Sequence, residues 1–246
     1  MRIVNYVIAN RVASISDLAR AFGVHEATIR RDLAEIERDG LLKRTHGGVT
    51  VDRGANREPP FTERSTDQLE EKMRIGRKAA ELIEDGDHVI IDSGTTTAHI
   101  AHQLINRSDL TVVTNDINVA SILKDAQGVK VIITGGELYP SSYMLNGMIT
   151  DRTLGTLHVQ KAFLGTPAIH YKHGLTHPEA MLVPAKMNMI RCAQEVIVVA
   201  DHTKIGKVSL HTIAPIQDVH TFVTGGEASD TQVEQLRNAG VRVILA

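Results

Sequence analysis

The sequence predicts an α/β protein in two parts, a small helical head closed by a hairpin and a larger domain built on a mainly parallel sheet. Three observations predict it. The chain has 246 residues, more than one average domain and fewer than two large ones, so a small module joined to a larger domain is the natural division. Seven short apolar runs, at 89–91, 110–114, 129–134, 162–164, 196–200, 222–224 and 241–245, alternate with helix-length segments. Runs of that kind, bounded by Gly, Asn and Asp, suit strands covered on both faces, as in a parallel sheet. Finally, a polar stretch carrying Pro59-Pro60 and little that packs separates the first 51 residues from the rest. The expected division is a head over 1–51, a linker over 52–69 and a large domain over 70–246.

Composition narrows the class further. At 42% hydrophobic and 23% charged residues, the chain reads as globular rather than disordered or fibrous. No apolar run reaches the length of a membrane span, and the opening Met1-Arg2-Ile3-Val4-Asn5-Tyr6 lacks the apolar stretch of a signal peptide. A cytoplasmic protein with no membrane partner is expected. The single cysteine, Cys192, excludes an internal disulfide and every Cys-rich zinc module; it lies in an apolar stretch and is expected in the core. The net charge of -2 divides unevenly, +2 over residues 1–50 and -4 over the remainder. No repeat at a fixed period and no low-complexity tract is present.

Taken in order, the head reads as three short helices and a hairpin. Ile3, Val7 and Ile8 form one apolar stripe. Ser16 is placed as N-cap of a helix over 17–22 that Gly23 ends in the left-handed conformation. The next helix begins near His25 and runs from Glu26 to Asp39, with Ile29, Leu33 and Ile36 inward. Two short strands follow within 41–51, around His46-Gly47-Gly48. A helix, a glycine turn and a second helix form a helix-turn-helix, and the hairpin adds a wing. With Ile29, Leu33 and Ile36 inward, Ala27, Arg30, Arg31 and Ala34 point outward at 100° per residue. Arg30 and Arg31 suit guanine edges or phosphates, and Ala27 or the Thr28 methyl suits a thymine methyl. Ser16 and Thr28 offer hydroxyls to phosphates, while Lys43, Arg44 and His46 place basic groups on the wing. An Arg-Arg pair on an exposed helix is commonly only a solvated face; its place in the second helix of such a unit points instead to double-stranded DNA.

The segment Ala27-Thr28-Ile29-Arg30-Arg31-Asp32-Leu33, followed by Gly40-Leu41-Leu42-Lys43-Arg44-Thr45-His46-Gly47-Gly48, resembles the head of the DeoR family of bacterial transcriptional regulators, and the resemblance covers essentially the whole chain. It implies a winged helix-turn-helix repressor whose larger domain senses a phosphorylated sugar or related metabolite. Two departures stand out. His25 occupies the position where the family carries a Ser cap, so weaker capping is expected there. The first helix starts abruptly at Met1, where the family has several more residues, so a shortened start is expected.

In the larger domain a helix is expected over 70–83, after which the strand Val89-Ile90-Ile91-Asp92 runs into Ser93-Gly94-Thr95-Thr96-Thr97 and a helix over 98–105. A strand, a hydroxyl-rich turn and a helix N-terminus bring N–H groups and hydroxyls to one point, where the helix dipole favours an anion. Such a turn alone is only a capped helix start. Three other strand ends carry polar residues, however: Thr114-Asn115-Asp116, Gly165-Thr166 and Asp201-His202-Thr203-Lys204, and ligands of α/β sheets bind beyond the carboxyl ends of strands. The family resemblance extends the sheet to that of phosphosugar isomerases such as ribose-5-phosphate isomerase. It implies that Gly94, Thr95 and Thr96 hold the phosphate, with Asp92, Asn115 and Lys204 on the sugar or its phosphate. Ser93 and Gly165 complete the expected effector set.

Other constellations carry less. His170, His173 and His177 share a loop without a helical spacing or a carboxylate partner, so no metal site and no cofactor is expected. His99 and His102 lie one turn apart and either line the pocket or face solvent. The rival function is a phosphosugar isomerase with a DNA-binding head. Aldose-ketose isomerisation needs a positioned carboxylate; the resembled isomerases carry acids after the strand corresponding to 161–164, where this chain reads Gly165-Thr166-Pro167. Glu179 and Asp201 are the remaining candidates to approach from elsewhere. The expectation is therefore a non-enzymatic repressor of a sugar-metabolism operon, released from its operator by a sugar phosphate. Because repressors commonly read symmetric half-sites, a homo-oligomer, dimer or tetramer, is expected.

Overall fold

The computed structural model describes residues 3–4, 6–7, 12–38, 43–45, 48–50 and 58–246; His46 and the hairpin tip lie outside them. The head holds β1 (Val12–Ser14), α1 (Ile15–Phe22), α2 (Glu26–Arg38), β2 (Lys43–Thr45) and β3 (Gly48–Thr50). Its strands form an antiparallel sheet in the order β1-β3-β2. The strand β1 has no counterpart in the sequence reading, because three residues are too few to display a period. It also moves the helix start. Ser14, not Ser16, caps α1, its Oγ accepting the Asp17 N–H at 3.0 Å. Ser16 sits exposed in the first turn, its hydroxyl 2.8 Å from that of Ser14. The reason is burial: Ile15 and Leu18, three apart, both enter the head core, so the helix begins at Ile15. Gly23 ends it at φ +65°. At α2 the His25 imidazole supplies the cap expected to be weak, Nδ1 accepting the Ala27 N–H at 3.2 Å. Ile29 and Leu33 are fully buried against Val4, Val7 and Val49, with Ile36 packed partly against them.

The larger domain contains α3 (Phe61–Arg64), α4 (Leu69–Ala80), β4 (His88–Ile91), α5 (Thr97–Leu104), β5 (Leu110–Thr114), α6 (Ile117–Leu123) and β6 (Val129–Ile133). A hairpin of β7 (Glu137–Tyr139) and β8 (Met144–Asn146) follows, then α7 (Met148–Leu154), β9 (Val159–Gly165), β10 (Ala168–His170) and β11 (Gly174–His177). The chain ends with α8 (Val183–Cys192), β12 (Ala193–Val199), β13 (His211–Ala214), β14 (Thr221–Thr224), α9 (Asp230–Asn238) and β15 (Arg242–Leu245). The seven expected strands make one parallel sheet in the order β15-β14-β12-β9-β4-β5-β6.

Alternation along each strand builds a core on either side. Val89, Ile91, Phe163, Ile197 and Val199 face α4, α5 and α6, where Ile75, Ile100, Leu104 and Val119 meet them. Ile90, Ala162, Leu164 and Val198 face the other way, onto Leu154, Ala185, Met189 and Leu236 of α7, α8 and α9. Each fully buried side chain of this size contributes about 1.5–3 kcal/mol relative to exposure. The stretch read as an unpacked linker is partly folded: α3 lies within it, the Phe61 ring meets Tyr143 edge-on at 5.6 Å, and the Phe61 N–H donates to Ser141 O at 2.7 Å. No described helix is long and apolar enough to cross a membrane.

Candidate functional site

The sheet order fixes where a ligand can enter. From β4 the chain proceeds outward through β5 and β6, whereas from β9 it proceeds the opposite way through β12, β14 and β15. The loops leaving β4 and β9 therefore diverge and leave a crevice between them, the topological switch point of an open parallel sheet. A cavity of about 240 Å³ opens there, with Ser93, Gly94, Thr95 and Thr96 on one wall and Gly165, Thr166 and Pro167 on the other. Two glycines allow the walls to meet. A Cβ on Gly165 would stand 3.3 Å from Ser93 O and 3.9 Å from Gly94 Cα, and one on Gly94 would stand 3.0 Å from Thr97 Oγ1.

The β4 turn is held open by its own hydrogen bonds. Asp116, which caps α6 by accepting the Asn118 and Val119 N–H groups, also accepts the Gly94 N–H at 3.2 Å. Thr97 Oγ1 donates to Gly94 O at 2.9 Å. Among the described residues no acceptor meets the Thr95 and Thr96 N–H groups, which lie where the positive end of the α5 dipole emerges. Burial pushes the Asp116 carboxyl up to about 6; the nearby Asp92 adds to this, against its backbone donors.

Around this turn stand five cationic side chains, Arg64, Lys72, Lys186, Lys204 and Lys207, against three carboxylates, Glu58, Asp67 and Asp201. Two further acids stand just behind the lining, Asp92 against Lys186 and Asp116 against the Gly94 N–H, so it is the cationic groups turned to the cavity, not a net excess of charge, that suit an anionic ligand. Lys186 reaches in from α8, pairing with the fully buried Asp92 and donating to Gly165 O at 2.9 Å. Asp92 also accepts the Gly165 N–H at 3.1 Å, so this pair ties the two walls together from beneath. Lys72 Nζ donates to the carbonyls of Arg64 and Asp67, each at 2.5 Å; burial, with Lys204 and Arg64 nearby, pushes its pKa down against the pull of Asp201 and Asp67. Lys204 lies 3.8 Å from Asp201. Glu58 lies 2.7 Å from Arg64 and 3.5 Å from His177. Burial works to raise its pKa, but His177, Arg64 and Lys186 outweigh it and bring the carboxyl down to about 2.

Of the effector residues expected from sequence, Ser93, Gly94, Thr95, Thr96, Gly165 and Lys204 line the cavity. Asp92 and Asn115 do not: Asp92 lies behind Lys186, and Asn115 is buried with its Nδ2 donating to Leu145 O at 3.2 Å. Glu58, Arg64, Lys72, His177 and Lys186 were not foreseen. A signal for two of them exists, since Lys72 precedes Ile75 and Ala79, and Lys186 lies between Val183 and Met189, each on a buried helical stripe. A lysine on such a stripe needs an internal partner.

The three histidines expected to share one loop do not: His170 ends β10, His177 ends β11 and only His173 lies in the turn between the strands. His177 reaches the cavity, whereas His170 stacks on Tyr171 at 4.6 Å and lies 4.9 Å from His173. Among the described residues, potential ligands converge at Glu71, Asp201 and His202, and these are already engaged. Glu71 accepts the His202 and Gly225 N–H groups and lies 2.8 Å from His202 Nδ1; Asp201 accepts the Thr203 N–H. They brace α4 to the sheet. His99 and His102 flank a second cleft with Phe61, Leu69 and Thr95, the last of which also lines the cavity. Cys192 is half-buried, donating to Met189 O at 3.4 Å, and burial pushes its thiol up. Asp201 is the only one of the two alternative carboxylates to line the cavity; Glu179 does not.

On the head, Ala27, Arg30 and Arg31 are exposed along α2 and Thr28 is half-buried beside them. Arg30 pairs with Glu26 one turn earlier at 3.2 Å. Lys43 and Arg44 lie on β2.

Two family models match: the DeoR-like helix-turn-helix domain over residues 1–54 and the DeoR C terminal sensor domain over residues 67–226. Among curated proteins, one from Escherichia coli O157:H7, named for repression of the aga operon, is 36% identical over 94% of this chain and 87% of its own. The HTH-type transcriptional repressor GlcR of Bacillus subtilis is 34% identical over 96% and 90%. The HTH-type transcriptional regulator GlpR of Haloferax volcanii is 32% identical over 99% and 95%. Among solved structures, ribose 5-phosphate isomerase A of Methanocaldococcus jannaschii is 16% identical with a TM-score of 0.40, covering 54% of this chain and 52% of that one. The translation initiation factor eIF-2B of Pyrococcus horikoshii OT3 is 16% identical with a TM-score of 0.44, covering 63% and 62%.

Proposed function

Because the chain belongs to the DeoR family of transcriptional regulators, we propose that it represses a sugar-metabolism operon and leaves its operator when a phosphorylated sugar fills the crevice at the strand reversal. The observation that carries this reading is the cavity itself, floored by the Gly94–Thr96 turn at the head of α5 and rimmed by more cations than carboxylates. The phosphate takes the Thr95 and Thr96 N–H groups, with Lys204 as a mobile point charge beside it. The head presents Arg30 and Arg31 to the major groove. Directly after β9 the chain reads Thr166-Pro167 with no carboxylate, which supports binding without turnover, while Asp201, which lines the cavity beside Lys204, is the carboxylate that the turnover test addresses.

A ligand stabilises the fold it binds by mass action. Sugar phosphates are therefore expected to raise the melting temperature of the full chain, and the corresponding free sugars are not. Stabilisation by free sugars alone, or conversion of ribose 5-phosphate by the purified protein, overturns the reading.

A further inference from the structure

The segment between the head and α4 enters the cavity and brings a carboxylate with it. Glu58 and Pro59 line the cavity beside Arg64 and Asp67, and the Glu58 carboxylate lies 2.7 Å from the Arg64 guanidinium and 3.5 Å from His177 Nε2. The rest of the segment is fastened to the sheet domain. Phe61 is held by Ser141 and Tyr143, and Lys72 grips the carbonyls of Arg64 and Asp67. Glu58 stands on the head side of this fastened segment, held by its ion pair with Arg64 and its approach to His177. We propose that Glu58 is an internal stand-in for the anionic group of the effector: its carboxylate engages Arg64 and His177 inside the cavity, and an arriving phosphate competes with it there and frees Glu58 from both.

The inference rests on the phosphate reading of this cavity and adds how occupancy is reported. Glu58 holds Arg64 and His177 whereas the phosphate takes the Thr95–Thr96 turn and Lys204, but both anions lie in one cavity of about 240 Å³, and like charges in a partly buried site repel more than in water. A ligand shifts an equilibrium only by its different affinity for the two states. Here that difference has a location, since phosphate binds well where Glu58 has left and poorly where it remains. Arg64 carries the exchange. Its Nε stays bonded to Pro59 O at 2.8 Å, and its terminal nitrogen can pass from Glu58 to a phosphate oxygen as a planar fork.

The test uses the full chain, inorganic phosphate as the probe, and Glu58→Gln, which keeps the side-chain shape and removes the charge. Glu58→Ala is the second variant, and thermal unfolding confirms that each folds. Two quantities are read: phosphate affinity by calorimetry, and hydrogen exchange of the amides over 58–67 without and with phosphate. The expected result is roughly tenfold tighter phosphate binding by Glu58→Gln, within the usual range of coupling between sites. Without phosphate, exchange of the Glu58 and Phe61 amides, the first two of this segment because Pro59 and Pro60 carry none, is expected to be faster in the variant than in the wild type. Phosphate should accelerate that exchange in the wild type only. Tighter binding with unchanged exchange is a general charge effect and overturns the stand-in role, as does equal or weaker binding by the variants. Wild type and both variants that all fail to bind phosphate sink the phosphate reading itself, a result distinct from the other two.

Discussion

At the scale of single residues, two carboxyls near the crevice titrate in opposite senses. Asp116 is raised from an ordinary 3.8 to about 6, so the folded chain keeps a proton that the unfolded chain has already released. Its contribution to stability is therefore greatest at low pH and is lost as pH rises from about 4 to 6. Glu58 is lowered from 4.5 to about 2; its contribution is complete above 4.5 and is lost as pH falls toward 2. Thermal unfolding across pH should show Asp116→Asn flattening the upper window relative to wild type, and Glu58→Gln flattening the lower one. Equal slopes in variant and wild type would remove these assignments. Lys186 is a third case. Replacing it with Met leaves Asp92 buried without its cation, expected to cost about 3 kcal/mol. Urea unfolding of Lys186→Met with Asp92→Asn should recover part of that loss, since the two residues form one interaction; strictly additive losses would show that they do not.

At the scale of elements, what the sequence disclosed follows from how each element is stabilised. The seven strands of the parallel sheet were legible because both faces are covered, so each shows as an apolar run such as 110–114 or 196–200, the latter beginning inside the longer strand Ala193–Val199 whose start carries Gln194 and Glu195. Among the small antiparallel strands, β2 and β3 were legible from the glycines read as a turn between them, whereas β1, β7 and β8, also of three residues each, are too short to show a period of two and have no such turn signal read beside them. The helix α3 was hidden by its polar composition, with Phe61 as the one cue that something there packs. The same polarity hid half of the crevice wall, because Glu58 and Arg64 look solvated until the fold brings them against His177 and Lys186. The hairpin of β10 and β11 offers a direct check on geometry. Gly174 has φ +69°, and a Cβ there would lie 2.0 Å from Ala214 O. Gly174→Ala is expected to destabilise the larger domain by roughly 3 kcal/mol, through backbone strain and overpacking together. A melting temperature equal to wild type would contradict the turn as described.

At the scale of the whole molecule, the resemblance carried by residues 27–33 and 40–48 gave the family, and the family models confirm it over both the head and the larger domain. The resemblance named Gly94, Thr95 and Thr96 as phosphate holders, and these line the cavity; it also named Asn115, which lies outside that lining with its Nδ2 on Leu145 O. Division of labour is the consequence to test. Arg30→Ala should weaken operator binding while leaving the sugar-phosphate melting shift intact, and loss of that shift would contradict separate tasks for head and body. The most direct measurement is operator affinity by fluorescence anisotropy, for wild type and Thr95→Val, with increasing concentrations of the sugar phosphate that most raises the melting temperature. The account predicts that wild type loses DNA affinity by roughly 5- to 150-fold while Thr95→Val holds its operator through the same concentrations. Equal release by both proteins, or no release by either, would contradict it.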